Sequence, residues 1–148
     1  MSENNKNKRF VLKHFDLLEN IGMILFALGI FMVTRRIKYS LYLMWFGGIF
    51  LSLIYILKSL ERPQNNDFFD YVIIKFAWLG IVIAIFGIIG KILIIEKANL
   101  LLWIAFLSML FGFAGGIQRK FEKKEIFEKK DYWRLVIVMF ITVLFAIV

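Results

Sequence analysis

The chain has no cysteine, one proline (Pro63) and one histidine (His14) in 148 residues. Without cysteine there is no disulfide, no thiolate metal site and no cysteine nucleophile. A single histidine leaves no Ser-His-Asp set at workable spacing, and His14, near Asp16 and Glu19, reads as a solvated interfacial group rather than a metal ligand. No glycine-rich phosphate loop follows a strand-like segment. The expectation is therefore no catalytic residue, no cofactor and no metal, and a protein that is not an enzyme. Scarce proline also removes the interrupted half-helices that mark many transporter substrate sites.

What is abundant is apolar length. Hydrophobic residues make up 61% of the chain, with seventeen Phe and four Trp, against about half in soluble domains. A hydrocarbon layer of about 30 Å takes roughly 20 mainly apolar helical residues to cross. Ala98 to Ile117 has that length without a charge, and Tyr71 to Ile95 exceeds it. These two runs, separated by Glu96 and Lys97, predict a transmembrane hairpin over 71–117. An earlier pair, from Leu17 or Asn20 to Thr34 and from Ser40 to Leu57, predicts another over 17–58.

The remainder divides by charge. Residues 1–16 form a basic tail, read as unstructured over Met1–Arg9, and an interfacial segment. Residues 59–70 form a loop holding Pro63, Gln64, Asn65 and Asn66. Residues 118–134 are a charged, solvated helical continuation in which Glu125 and Lys129 have the favourable i, i+4 order. The final run, 135–148, is either a short fifth span that thins the bilayer or a helix packed part-way, and the span is the expectation. The fold class is all-α: a polytopic transmembrane bundle of four full spans and a short fifth.

Small residues recur at helical spacing: Gly22 and Gly29, then Gly47 and Gly48, then Ala77, Gly80, Ala84 and Gly87, then Ala105, Ser108, Gly112 and Gly115. Lipid is as apolar as leucine, so membrane helices associate through close van der Waals contact, which small residues permit. These positions are the expected packing seams. Shifting the chain by 58 residues lays Gly22 on Gly80, Gly29 on Gly87, Leu43 on Leu101 and Trp45 on Trp103, the pattern of a duplicated hairpin.

Charge sets orientation and partners. The formal charge is +8, but the cations sit in tails and turns, which points to an anionic membrane surface and away from nucleic acid. Fourteen Lys and Arg fall on the side of the N-terminus, the Pro63 loop and 118–134, and five on the side of the two short turns. The positive-inside rule makes the first side cytoplasmic, and a composition rich in Ile, Lys, Asn and Phe suits a bacterial inner membrane. Lys75 and Lys91, sixteen residues or about 24 Å apart along a helix, are expected to snorkel to opposite interfaces and contact lipid or an anion. No Asp or Glu falls inside the expected spans, which argues against a carboxylate proton relay. Two functions remain: a non-catalytic subunit or interaction component that binds itself or another membrane protein, or a small channel or transporter with a path between the hairpins.

Overall fold

The computed structural model describes the backbone over residues 3–60 and 67–147, and side chains from residue 14 onward. The Pro63 loop lies outside the described residues. Among those described, every element is helical: α1 (Glu3–Thr34), α2 (Ser40–Ser59), α3 (Phe68–Ile92), α4 (Ala98–Phe121) and α5 (Lys129–Ile147). Four helical stretches are long and apolar enough to cross a membrane: His14–Thr34, Ser40–Ser59, Phe68–Ile92 and Ala98–Phe121. Many large apolar side chains face outward, among them Phe31 (56% exposed) and Leu107 (60%). Such surfaces are costly in water and neutral in hydrocarbon.

The chain forms two compact units, residues 1–54 and 55–148. In the first, α1 lies on α2. A Cβ added to Gly29 would meet the Met44 backbone at 2.5 Å, and one on Gly47 the Phe26 backbone at 2.6 Å. In the second, a Cβ on Gly112 would meet Ala77 at 2.6 Å, one on Gly80 the Met109 side chain at 2.7 Å, and one on Gly87 the Leu102 side chain at 2.8 Å. At these points only hydrogen fits between the helices, so the seams expected at Gly29, Gly47, Ala77, Gly80, Gly87, Ala105 and Gly112 are contact lines. Ala84 and Gly48 are buried, and Gly115 abuts Ile73. Ser108 departs from the expectation. It is half-buried while its neighbour Met109 is fully enclosed, because α4 turns a face of Leu102, Ala105, Met109 and Gly112 towards α3.

Both turns are closed alike. Ile94 has φ 58°, with Ile94 N–H donating to Lys91 C=O and Ile95 N–H to Gly90 C=O. Arg36 has φ 54°, with Arg36 N–H donating to Val33 C=O and Ile37 N–H to Met32 C=O. This is the Schellman arrangement, in which one left-handed residue lets the last carbonyls find donors.

The boundaries shift in three places. Helix α1 is unbroken, so the stretch expected to be an unstructured tail is helical from Glu3. The third helix starts and stops three residues earlier than expected, because Asp67 caps its start and the left-handed Ile94 ends it. The charged segment is not one helix: α4 continues to Phe121, Lys123 (φ 61°) stops it, and α5 begins at Lys129. Glu125 therefore sits in a loop and has no helical i, i+4 relation to Lys129. The apolar end of α5, Leu135–Ile147, is about 20 Å long.

The seam predicts a sign difference between two glycines. Replacing a helical Gly by Ala adds about 1 kcal/mol of helix propensity, but at Gly29 the methyl overlaps the Met44 backbone, and overpacking of that kind costs about 1–3 kcal/mol. At Gly22 it meets only the ends of the Leu51 and Phe50 side chains at 3.2 Å. In thermal unfolding in detergent, Gly29→Ala is expected to lower stability and Gly22→Ala to leave it within about 0.5 kcal/mol. Equal behaviour of the two would contradict the contact.

Candidate functional site

Polar side chains of the second unit gather where α3 begins and α4 ends, because an antiparallel hairpin brings those ends together. Asp67 starts α3, its side chain accepting from the Phe69 N–H at 3.2 Å. One helical turn on, Asp70 is buried, its side chain 2% exposed. From the last turn of α4, Arg119 reaches all the nearby carboxylates: Nη2 lies 2.8 Å from Asp67 Oδ2, Nε 2.7 Å from Asp70 Oδ1, and Nη1 2.6 Å from Glu122 Oε2. Its guanidinium also stands over the Phe69 ring at 5.2 Å. Lys124 adds a longer contact to Asp67, 3.4 Å. The Arg119–Asp70 contact is an ion pair without hydrogen-bond alignment, since neither Nε nor Oδ1 has an aligned partner.

Three carboxylates thus share two cations. The backbone N–H of Phe69, followed by Lys124 and Arg119, holds the Asp67 carboxyl below its ordinary value of 3.8. Breaking a buried pair by removing one partner leaves an uncompensated charge in an apolar place. The cluster is a charge clamp that fixes where α4 may end relative to α3.

Beside it lies a chain of aromatic rings. Phe127, in the loop after α4, is buried with its ring 5.9 Å from Trp78 and 5.6 Å from Tyr132. Tyr55 stacks on Trp78 at 5.6 Å, and Lys58 lies over both rings at 5.7 and 5.0 Å. The Tyr132 hydroxyl donates to the Gly116 carbonyl at 2.8 Å, pinning α5 against α4. Outside that pin, α4 and α5 leave a groove of about 280 Å³ lined by Phe113, Ile117, Lys120, Lys129, Tyr132, Trp133 and Val136.

The expected lipid or anion contacts, Lys75 and Lys91, lie outside this site. Lys75 is half-buried, its ammonium 4.3 Å from the Tyr71 ring centre, and Lys91 donates to Asn99 Oδ1 at 2.8 Å across the turn. Three carboxylates fall near the starts of the candidate spans. Asp70 belongs to Phe68–Ile92, and Asp16 and Glu19 to His14–Thr34, with Glu19 fully buried. Helix α3 starts earlier than hydrophobicity alone suggested, because its start is set by the Asp67 cap and not by its first apolar residue. Among the described residues no group of three or more His, Asp or Glu side chains is arranged to hold a metal ion.

The clamp was missed because Asp67 and Asp70 read as loop charges and Arg119 as part of a solvated helical continuation. A signal was present: Asp70 and Arg119 lie within one residue of equal distance from the 93–97 turn, so an antiparallel hairpin brings them together. No protein-family model, curated protein or solved structure matches the chain.

Two outcomes test the clamp. Asp70→Leu or Arg119→Leu alone should lower the detergent melting temperature by several degrees, while the double variant regains much of the loss. Additive losses would show that the two groups do not interact. The second outcome concerns acid. A carboxyl whose pKa is depressed on folding stabilises the fold above its unfolded value and loses that contribution as pH falls through the folded one. The Asp67 contribution is therefore constant from pH 7 to about 5 and lost below 3.8. Asp67→Asn should flatten that acid limb in a melting series from pH 7 to 3.

Proposed function

We propose that this is a small multi-pass membrane protein that works as a non-catalytic subunit or assembly component of a membrane complex, built from two versions of one helical hairpin. The observation that carries the reading is a shared register. Gly29 meets Met44 as Gly87 meets Leu102, and Gly22 meets Leu51 as Gly80 meets Met109. Every second-hairpin residue lies 58 positions beyond its counterpart, as do the helix ends Thr34 and Ile92, the helix starts Ser40 and Ala98, and the left-handed Arg36 and Ile94. Any two helical hairpins can share a short turn. Two contact pairs, two boundaries and a turn residue at one offset support a duplication, and a packing unit used twice suits a scaffold.

Each hairpin contains two spans, so its entry and exit fall on one side of the bilayer. We orient the N-terminus and the 122–128 loop towards the cytoplasm of a bacterial inner membrane, on the fourteen-to-five distribution of Lys and Arg. The partners are membrane lipids, and a further copy of the chain or another membrane protein.

One observation favours a second reading, a small channel or transporter. Glu19 is fully buried inside the first candidate span, and Ser52 in α2 is buried with its hydroxyl lacking a hydrogen-bond partner. Intramembrane carboxylates often mark ion paths. Flux through proteoliposomes that Glu19→Gln abolishes would favour this reading over the first.

A chain without cysteine allows a direct test. Ile94→Cys, at an 89% exposed turn position, should react with an impermeant maleimide in intact cells, and Lys123→Cys only after permeabilisation. The reverse pattern overturns the orientation. Mass measurement of the complex purified in mild detergent should find a fixed foreign partner or a defined small oligomer. A monomer under all mild conditions would contradict the subunit reading.

A further inference from the structure

The groove between α4 and α5 has the polarity of a phospholipid. Phe113, Ile117 and Lys120 are four and three residues apart on one face of α4, and Lys129, Tyr132, Trp133 and Val136 face them from α5. The helices run antiparallel here: α5 returns along α4 after the short 122–128 connection, with the Tyr132 ring against Phe113 and its hydroxyl on the Gly116 carbonyl. Lys120 and Lys129 therefore stand together at the mouth, and Phe113 and Val136 lie about 10 Å deeper. The wall is apolar along its length and cationic at one end.

The neighbouring cations are used up differently. Arg119 and Lys124 belong to the clamp, Lys130 pairs with Glu128 at 3.1 Å, and Arg134 with Asp131 at 3.1 Å. Among the described residues Lys120 and Lys129 make no ion pair, and the one aromatic contact here is Lys120 over the Tyr132 ring at 5.9 Å. Trp133, 62% exposed, borders the mouth where an interfacial indole belongs.

We propose that this groove binds one anionic phospholipid, with its phosphate between the Lys120 and Lys129 ammoniums and an acyl chain along Phe113, Ile117 and Val136. Charge complementarity commits the occupant: two unpaired ammoniums at the lip of an apolar wall, at the end of a membrane-crossing helix, select an acidic headgroup with a tail. The site rests on the membrane reading but not on the subunit role. It also places the lipid contact on residues other than Lys75 and Lys91.

The test is native mass spectrometry of the full chain in detergent with phosphatidylglycerol, phosphatidylcholine or inorganic phosphate added. The wild type should retain one phosphatidylglycerol in preference to phosphatidylcholine. K120Q/K129Q should weaken that binding roughly 30-fold, and Val136→Trp, which fills the apolar end and leaves both charges, should also reduce it. Lys97→Gln, at the opposite helix end, should not. Unchanged binding in both groove variants, equal retention of phosphatidylcholine, or full competition by inorganic phosphate overturns the proposal. Carbonate extraction of cell membranes separates the two failures, since release of the chain would sink the membrane reading itself.

Discussion

The architecture depends on backbones meeting where side chains are absent. In hydrocarbon, burying leucine against leucine gains little, because the lipid tail it displaces is equally apolar. What remains is dispersion between closely fitted surfaces, and it falls off within an ångström of misfit. Gly29 against the Met44 backbone and Gly112 against Ala77 bring the helix axes near enough for that force to act along whole faces. Ala77, Ala84, Leu102, Ala105 and Met109 are completely enclosed as a result.

That fit governs where charge can stand. Once α3 and α4 are locked in register, their ends lie side by side, and the residues there must tolerate each other. Asp67, Asp70 and Glu122 do so by sharing the Arg119 guanidinium, with Lys124 adding a second cation. Such groups contribute less to net stability than to specificity, since a shift of one helical turn would leave charges stranded in an apolar setting. The seam supplies attraction without direction, and the clamp supplies the direction. Tyr132 repeats the logic for α5, where a single hydroxyl on the Gly116 carbonyl sets the height of the last helix.

The two hairpins use one frame with different contents. Where the second has Met109 and Leu102 opposite its glycines, the first has Leu51 and Met44, although Gly29 abuts the Met44 backbone and Gly87 the Leu102 side chain. Their turns close with the same hydrogen bonds, although Arg36 and Ile94 have nothing chemically in common. What the two hairpins share is a backbone path through the turn, while the lipid-facing and terminal residues differ. The Asp70–Arg119 pair belongs to the second hairpin's ends, and the buried Glu19 to the first.

Apolar run length and glycine spacing were enough to establish four helices, two hairpins and most seam positions, because the cost of an unsatisfied peptide group in hydrocarbon leaves a long apolar run little choice but helix. They were not enough to place helix ends, since a capping Asp67 or a left-handed Lys123 overrides the hydrophobic boundary. Ser108 and Met109 show the same limit within a helix: spacing identifies a stripe, and only the partner's shape decides which neighbour lies at its centre. The clamp, the burial of Phe127 and the lysine-lipped groove join residues from separate segments. Their chemistry was written in the chain, but their proximity exists only once antiparallel packing has brought those segments together.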